Sequence, residues 1–128
     1  MKNFKLLTIV ALFSLSATSQ AAVLASPSIY GGADQNIAFC YLFNAGTAPV
    51  GITAKQVFQF GSTTPLTLTG NTCGATLAPG NSCNYSVNNI SNLLTYACRA
   101  VTSTAVGMRG NLEIRIGDGI VLERADMR

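Results

Sequence analysis

The chain has 128 residues, 48% of them hydrophobic and only 10% charged, a composition that suits one globular domain and leaves no room for a second core. Its formal net charge is +3, but Lys2 and Lys5 sit at the extreme N-terminus. Beyond them Lys55 and five arginines face Asp34, Glu113, Asp118, Glu123 and Asp126, a balance of +1. No basic stripe with interleaved aromatics exists, which leaves nucleic-acid binding without an electrostatic footprint.

Residues 1–21 read as a cleaved signal peptide. A basic start through Lys2 and Lys5 is followed by an apolar run from Leu6 to Ala17, and Ser19 and Ala21 supply small side chains at the cleavage site. The apolar run is shorter than the roughly 20 residues of a spanning helix. Ala22 is the expected new N-terminus, with cleavage after Ala22 or Ala25 as the alternatives. No cysteine directly follows the apolar run, the first being Cys40, so a lipid anchor is not expected. Residues 22–128 form the expected single domain.

Residues 25–34 carry Pro27 and the Gly31-Gly32 pair and allow at most a short edge strand and a turn. Residues 36–43, NIAFCYLF, form a β-prone run that ends in a turn cluster from Asn44 to Pro49. With Cys40 inward, alternation takes Ala38 and Leu42 inward and leaves Ile37, Phe39, Tyr41 and Phe43 on the opposite face. Such an apolar row is a candidate interaction surface. The alternatives are a strand covered on both sides and a bulge that turns the aromatics inward.

Further strands are expected over 50–60, over 66–69 where leucine alternates with threonine, and over 83–87, with Cys83, Tyr85 and Val87 on one face. Pro79-Gly80 predicts a type II turn, because proline presets φ and glycine accepts the positive φ that follows. Residues 93–101 put Leu94, Tyr96, Cys98 and Ala100 on one face. Residues 110–116 read as a complete last strand, Gly117-Asp118-Gly119 turns it into a short hairpin arm, and 124–128 is expected to fray.

Four cysteines in a small exported chain imply two disulfides. Of the three pairings we expect Cys73 with Cys83, closing a loop around the turn, and Cys40 with Cys98, joining two distant strands. Zinc would want close Cys-x-x-Cys pairs, which are absent. The chain has no histidine, and its acids form no evident buried pair, so acid–base and Cys/His chemistry lack their parts. Asp118 by itself falls far short of a calcium shell. The Asn-x-Ser strings at Asn84 and Asn89 match a glycosylation acceptor only by short pattern.

Three segments, NAGTAPVGI, PLTLTGNTCGATLAPGNSCNYSV and GNLEIRI, resemble the abnormal-spindle and hydin-type immunoglobulin-fold domains, in particular their bacterial relatives in choice-of-anchor surface proteins. The resemblance rests on Asn44, Gly46 and Pro49, then on Cys73, Leu77, Pro79, Gly80 and Cys83, and spans about residues 36–117. The chain departs from that pattern after Cys83, where Asn88-Asn89-Ile90 stands in place of an aromatic-x-proline, and in the added pair Cys40 and Cys98. The resemblance implies a non-catalytic sandwich of about seven strands used as a structural or binding module. The expectation is thus an all-β, immunoglobulin-like antiparallel sandwich, exported to the periplasm or outside. It needs no cofactor or metal and does not span the membrane. It is a monomer whose partner is a protein or envelope component. The rival readings are a fimbrial-type subunit that donates or accepts a strand and a small exported hydrolase.

Overall fold

The structure is a computed structural model that describes residues 20–117 and 119–128. Nearly all of the expected signal peptide, and Asp118, lie outside the described residues. The strands are β1 (Ala22–Ala25), β2 (Ile37–Asn44), β3 (Val50–Gln59), β4 (Gly70–Asn71), β5 (Thr76–Leu77), β6 (Ser82–Asn88), β7 (Tyr96–Thr102), β8 (Met108–Ile116) and β9 (Ile120–Met127). Seven of these have four residues or more. They form two antiparallel sheets, of strand order β1-β7-β3-β5 and β4-β6-β2-β8-β9, packed face to face as an immunoglobulin-like sandwich.

Period-two alternation decides what lies between the sheets. In β2, Ala38, Cys40 and Leu42 are wholly buried; in β7, so are Tyr96, Ala100 and Thr102, with Cys98 beside them. Cys83, Tyr85 and Val87 of β6 meet them from the five-stranded sheet. Both disulfides pair as expected. Cys40–Cys98 joins β2 to β7 across the sandwich with Cα atoms 6.0 Å apart, and Cys73–Cys83 ties the turn region to β6 at 4.9 Å. Among the described residues no helix is long and apolar enough to cross a membrane, and the two disulfides point to an oxidising compartment.

The turns are fixed by named groups. Gly80 has φ of +72° and Asn81 N–H donates to Ala78 C=O at 3.2 Å, the type II geometry expected of Pro79-Gly80. Asn44, fully buried, satisfies its own side chain. Its Nδ2 donates to Ala48 and Leu77 carbonyls, and its Oδ1 accepts from Gly46 N–H. Gly107, at φ +76°, lies against Gly46 so closely that a Cβ there would fall 2.6 Å from Gly46 Cα. Asn44 thereby ties two turns together at one end of the sandwich, and Ala45 N–H, donating to Gly107 C=O at 2.8 Å, brings the third against them.

Four local expectations are corrected. The edge strand near the N-terminus is Ala22–Ala25, which only reaches the start of the 25–34 segment; beyond it that segment adds the Ser26 N–H bond to Cys98 C=O and an Ile29–Tyr96 bridge. Residues 66–69 alternate as read, with Leu66 and Leu68 against the core, but form no ladder. They cross from one sheet to the other, Leu66 N–H donating to Val57 of β3 and Thr69 N–H to Ser86 of β6. Residues 93–95 precede β7, and Leu93 is exposed. Finally, residues 124–128 do not fray, and β8 is not the last strand. Residues 123–127 continue β9 along β8 to the Gly110–Met127 pair, and Arg128 exchanges two 3.0 Å backbone hydrogen bonds with Ala25. Charge alone suggested a loose end, whereas backbone pairing on two strands holds it.

Buried tyrosines give the fold a pH limit. Tyr85, fully buried, donates its hydroxyl to Arg99 C=O at 2.9 Å, and burial pushes its phenol well above the ordinary value. Burial also raises Tyr96, partly offset by its hydrogen bonds with Ser91. Both groups keep their protons in the folded state while the unfolded chain ionises near pH ~10. Stability is therefore fully present below about pH 10 and falls as pH rises beyond it. Urea midpoints measured from pH 7 to 11 should show this fall, and Tyr85→Phe should shallow it at a cost of about 1 kcal/mol at neutral pH. An unchanged alkaline slope in the variant would refute the assignment.

Candidate functional site: the outer face of the five-stranded sheet

Because β2 pairs with β6 and β8 without a register shift, its odd-numbered aromatics stay on the outer side of the sheet. Phe39 and Tyr41 are half-buried and Phe43 is 41% exposed, while Ile37, at the start of the strand, is buried at 8%. No bulge turns the aromatics inward. Instead Phe39 and Tyr41 are partly covered by the Arg115 side chain from β8.

The strands set three cross-strand rows on this face. Phe39 stands opposite Glu113, which faces Arg124. Tyr41 stands opposite Asn111, which faces Asp126. Phe43 stands opposite Arg109, beyond the end of β9. A register shift between β8 and β9 at Ile114/Arg115 sets Arg124 across from Glu113 while Leu122 packs on the core.

Glu113 is the feature that sequence pattern missed. It is 2% exposed, a carboxylate sunk on the outward side of a strand. Its Oε2 accepts from Arg115, through Nε at 2.9 Å and through a second guanidinium nitrogen, and its Oε1 accepts from Arg124. The Arg115 guanidinium lies 4.4 Å from the Phe39 ring centroid and 5.5 Å from that of Tyr41, and it also donates to the Tyr41 hydroxyl at 2.7 Å. The Phe39 and Tyr41 rings are tilted, 4.8 Å apart. Burial works against the charge on Arg115, but hydrogen bonds and charge attraction from Glu113, aided by Tyr41, outweigh it and hold the guanidinium above its ordinary value. Cation–π contact and a charge-assisted fork thus make Phe39, Tyr41, Glu113 and Arg115 one rigid plate.

Two recesses flank the plate. A smaller one, about 340 Å³, opens beside Phe39, Ser86 and Arg115. The larger, about 570 Å³, lies past the end of β9 and is lined by Tyr41, Phe43, Arg109, Gly110, Asn111 and Asp126 among others. Among the described residues no group of three or more His, Cys, Asp or Glu side chains is placed to hold a metal ion. Neither a family model, nor a curated protein, nor a solved structure matches the chain.

Proposed function

We propose that the protein is an exported, non-catalytic binding module that works through the outer face of its five-stranded sheet, of the kind implied by its resemblance to abnormal-spindle and hydin-type domains. The observation that carries this reading is the placement of Tyr41 and Phe43 on the solvent side of an unbroken strand, next to a plate that fixes their surroundings. A pre-organised aromatic surface loses little side-chain entropy on binding. The Asn44–Gly46 turn and the Cys73–Cys83 clip around Pro79-Gly80 play local roles consistent with that resemblance. Catalysis is disfavoured by the absence of histidine and by the neutralisation of Glu113, the buried acid, by two guanidinium groups.

Export follows from residues 1–21 read as a leader. Cleavage after Ala21 leaves β1 whole, with Leu24 buried and all four residues paired to β7, whereas cleavage after Ala25 removes it. A fimbrial-type subunit wants an N-terminal donor strand for another copy, but here Ala22–Ala25 pairs within its own chain.

Capture of envelope components by the purified mature protein tests the reading. Phe43→Ala, at an exposed position, should leave the melting temperature within about 2 °C and abolish capture of whatever the native protein retains. Unchanged capture by Phe43→Ala would remove this face from the function.

A further inference from the structure

The smaller recess, beside Phe39, holds donors that the folded domain does not use. Ile37, Phe39, Ser86, Asn88 and Arg115 line it, set by the strand register in two rows: Asn88, Ile37 and Arg115 in one, Ser86, Phe39 and Glu113 in the next. Arg115 gives Nε to Glu113 and Nη2 to Glu113 and Tyr41, which leaves Nη1 with no hydrogen-bond partner among the described residues. The Ser86 hydroxyl and the Asn88 side-chain amide have none there either. Both Ser86 Oγ and Arg115 Nη1 open onto solvent, because Asn111 Oδ1 is the one unpaired side-chain atom among the described residues that is closed off from it. A glycine keeps the serine uncovered: Gly70 stands opposite Ser86, and a Cβ there would fall 2.6 Å from Oγ. Arg115 is the charged residue on this wall, and since two arginines share Glu113, the plate behind the recess carries a surplus positive charge.

We infer that this recess takes the carboxylate of an acidic side chain on a protein partner, an assignment that rests on the binding-module reading and names what the face recognises. A cation walled by neutral donors calls for an anion, since hydrogen bonds to a charged acceptor are the strong ones. The free donors select its kind. The guanidinium fork of Nε and Nη2 already belongs to Glu113, and one nitrogen, one hydroxyl and one amide remain. They match the two oxygens of a carboxylate better than the three of a phosphate group. Phe39 and Ile37 give the methylene stem of the ligand an apolar wall. Because the recess opens on the flat outer face beside the plate, a glutamate standing out from a folded surface reaches it. Arg115 Nη1 donates to one oxygen, Ser86 Oγ to the other, and the Asn88 amide closes the rim. The plate pre-organises the cation, so little side-chain entropy is lost when the anion enters.

The test is titration of the mature protein with N-acetylglutamate N-methylamide, the matching glutamine compound and methyl glucuronide, to about 50 mM at constant ionic strength, a range that reads millimolar affinities. NMR shifts of Arg115 Nε–H and of the Ser86 and Asn88 backbone amides report binding. The glutamate compound should move all three signals, and the glutamine compound should bind about tenfold more weakly, having lost the charge on the acceptor. Ser86→Ala and Asn88→Ala, whose side chains bond nothing in the folded domain, should each weaken the glutamate compound about threefold to tenfold with the melting temperature within about 2 °C of the native protein. Ser86→Ala should also lower capture of the envelope partner. Equal binding of the glutamate and glutamine compounds, no shift with either, or binding untouched by both variants overturns the site. A glucuronide that binds more tightly than the glutamate compound overturns the protein partner in favour of an acidic sugar. Capture that needs Phe43 but neither Ser86 nor Asn88 overturns the carboxylate site and leaves the binding-module reading standing, whereas capture that ignores Phe43 removes that reading itself.

Discussion

Replacing Cys40 and Cys98 together by alanine should cost the folded domain about 4 kcal/mol, by the entropy of closing a long loop in the unfolded chain. The two residues are separated by 58 positions and form, among the described residues, the disulfide that joins the two sheets, β2 lying in one and β7 in the other. Removing Cys73 and Cys83, separated by 10, should cost nearer ~3 kcal/mol on the same relation. Urea unfolding of the two double variants gives the order directly. For a domain of this size the first should lower the melting temperature by on the order of 15 °C. If the short-loop variant proves the weaker protein, the clip around Pro79-Gly80 and not the inter-sheet bridge is what holds the sandwich.

Glu113→Gln is the second large effect. The carboxylate accepts from two arginines in a position shielded from water, and hydrogen bonds to charged groups contribute about 1.5–3 kcal/mol each. An amide of the same shape turns a donor toward guanidinium donors and withdraws the charge that holds Arg115 over Phe39 and Tyr41. Destabilisation of about 2–4 kcal/mol is expected, below a simple sum because the Arg124 side chain is 57% exposed and regains water. The double change Glu113→Leu with Arg115→Met should recover most of that loss, since it removes both buried charges. Chemical denaturation of the single and double variants decides the point. A double variant no better than Glu113→Gln would mean that packing, not charge pairing, sets the value of this position.

The β2 aromatics illustrate how far the pattern of residues reaches. Alternation around Cys40 correctly separated Ala38 and Leu42 from Phe39, Tyr41 and Phe43, because a strand without a bulge has no freedom in which face each side chain takes. The same rule placed Cys83, Tyr85 and Val87, and it made the disulfide pairing legible by putting Cys40 and Cys98 on inward faces. It failed for residues 66–69, where alternation survives without a ladder, since a crossing segment can bury every second side chain without a neighbouring strand to bond.

The site itself was half legible. Its aromatic row stands in one short run of sequence, but nothing local distinguishes Glu113 or Asn111 from any polar residue on the outward face of a strand. Arg115 reaches Tyr41 across 74 positions. Arg124 meets Glu113 only because β9 extends through residues expected to fray and carries a register shift.

Composition, alternation and turn chemistry by themselves determined an all-β domain, the inward faces of β2, β6 and β7, the type II turn and the two sulfur pairs, since those follow from period-two geometry and local backbone preference; in β3 a register shift between Ile52 and Ala54 breaks the alternation. Tertiary structure alone decided which outward residues are covered, which charges meet, and which buried acceptor is left without a partner. Those depend on inter-strand register, which depends on every strand in the sheet at once.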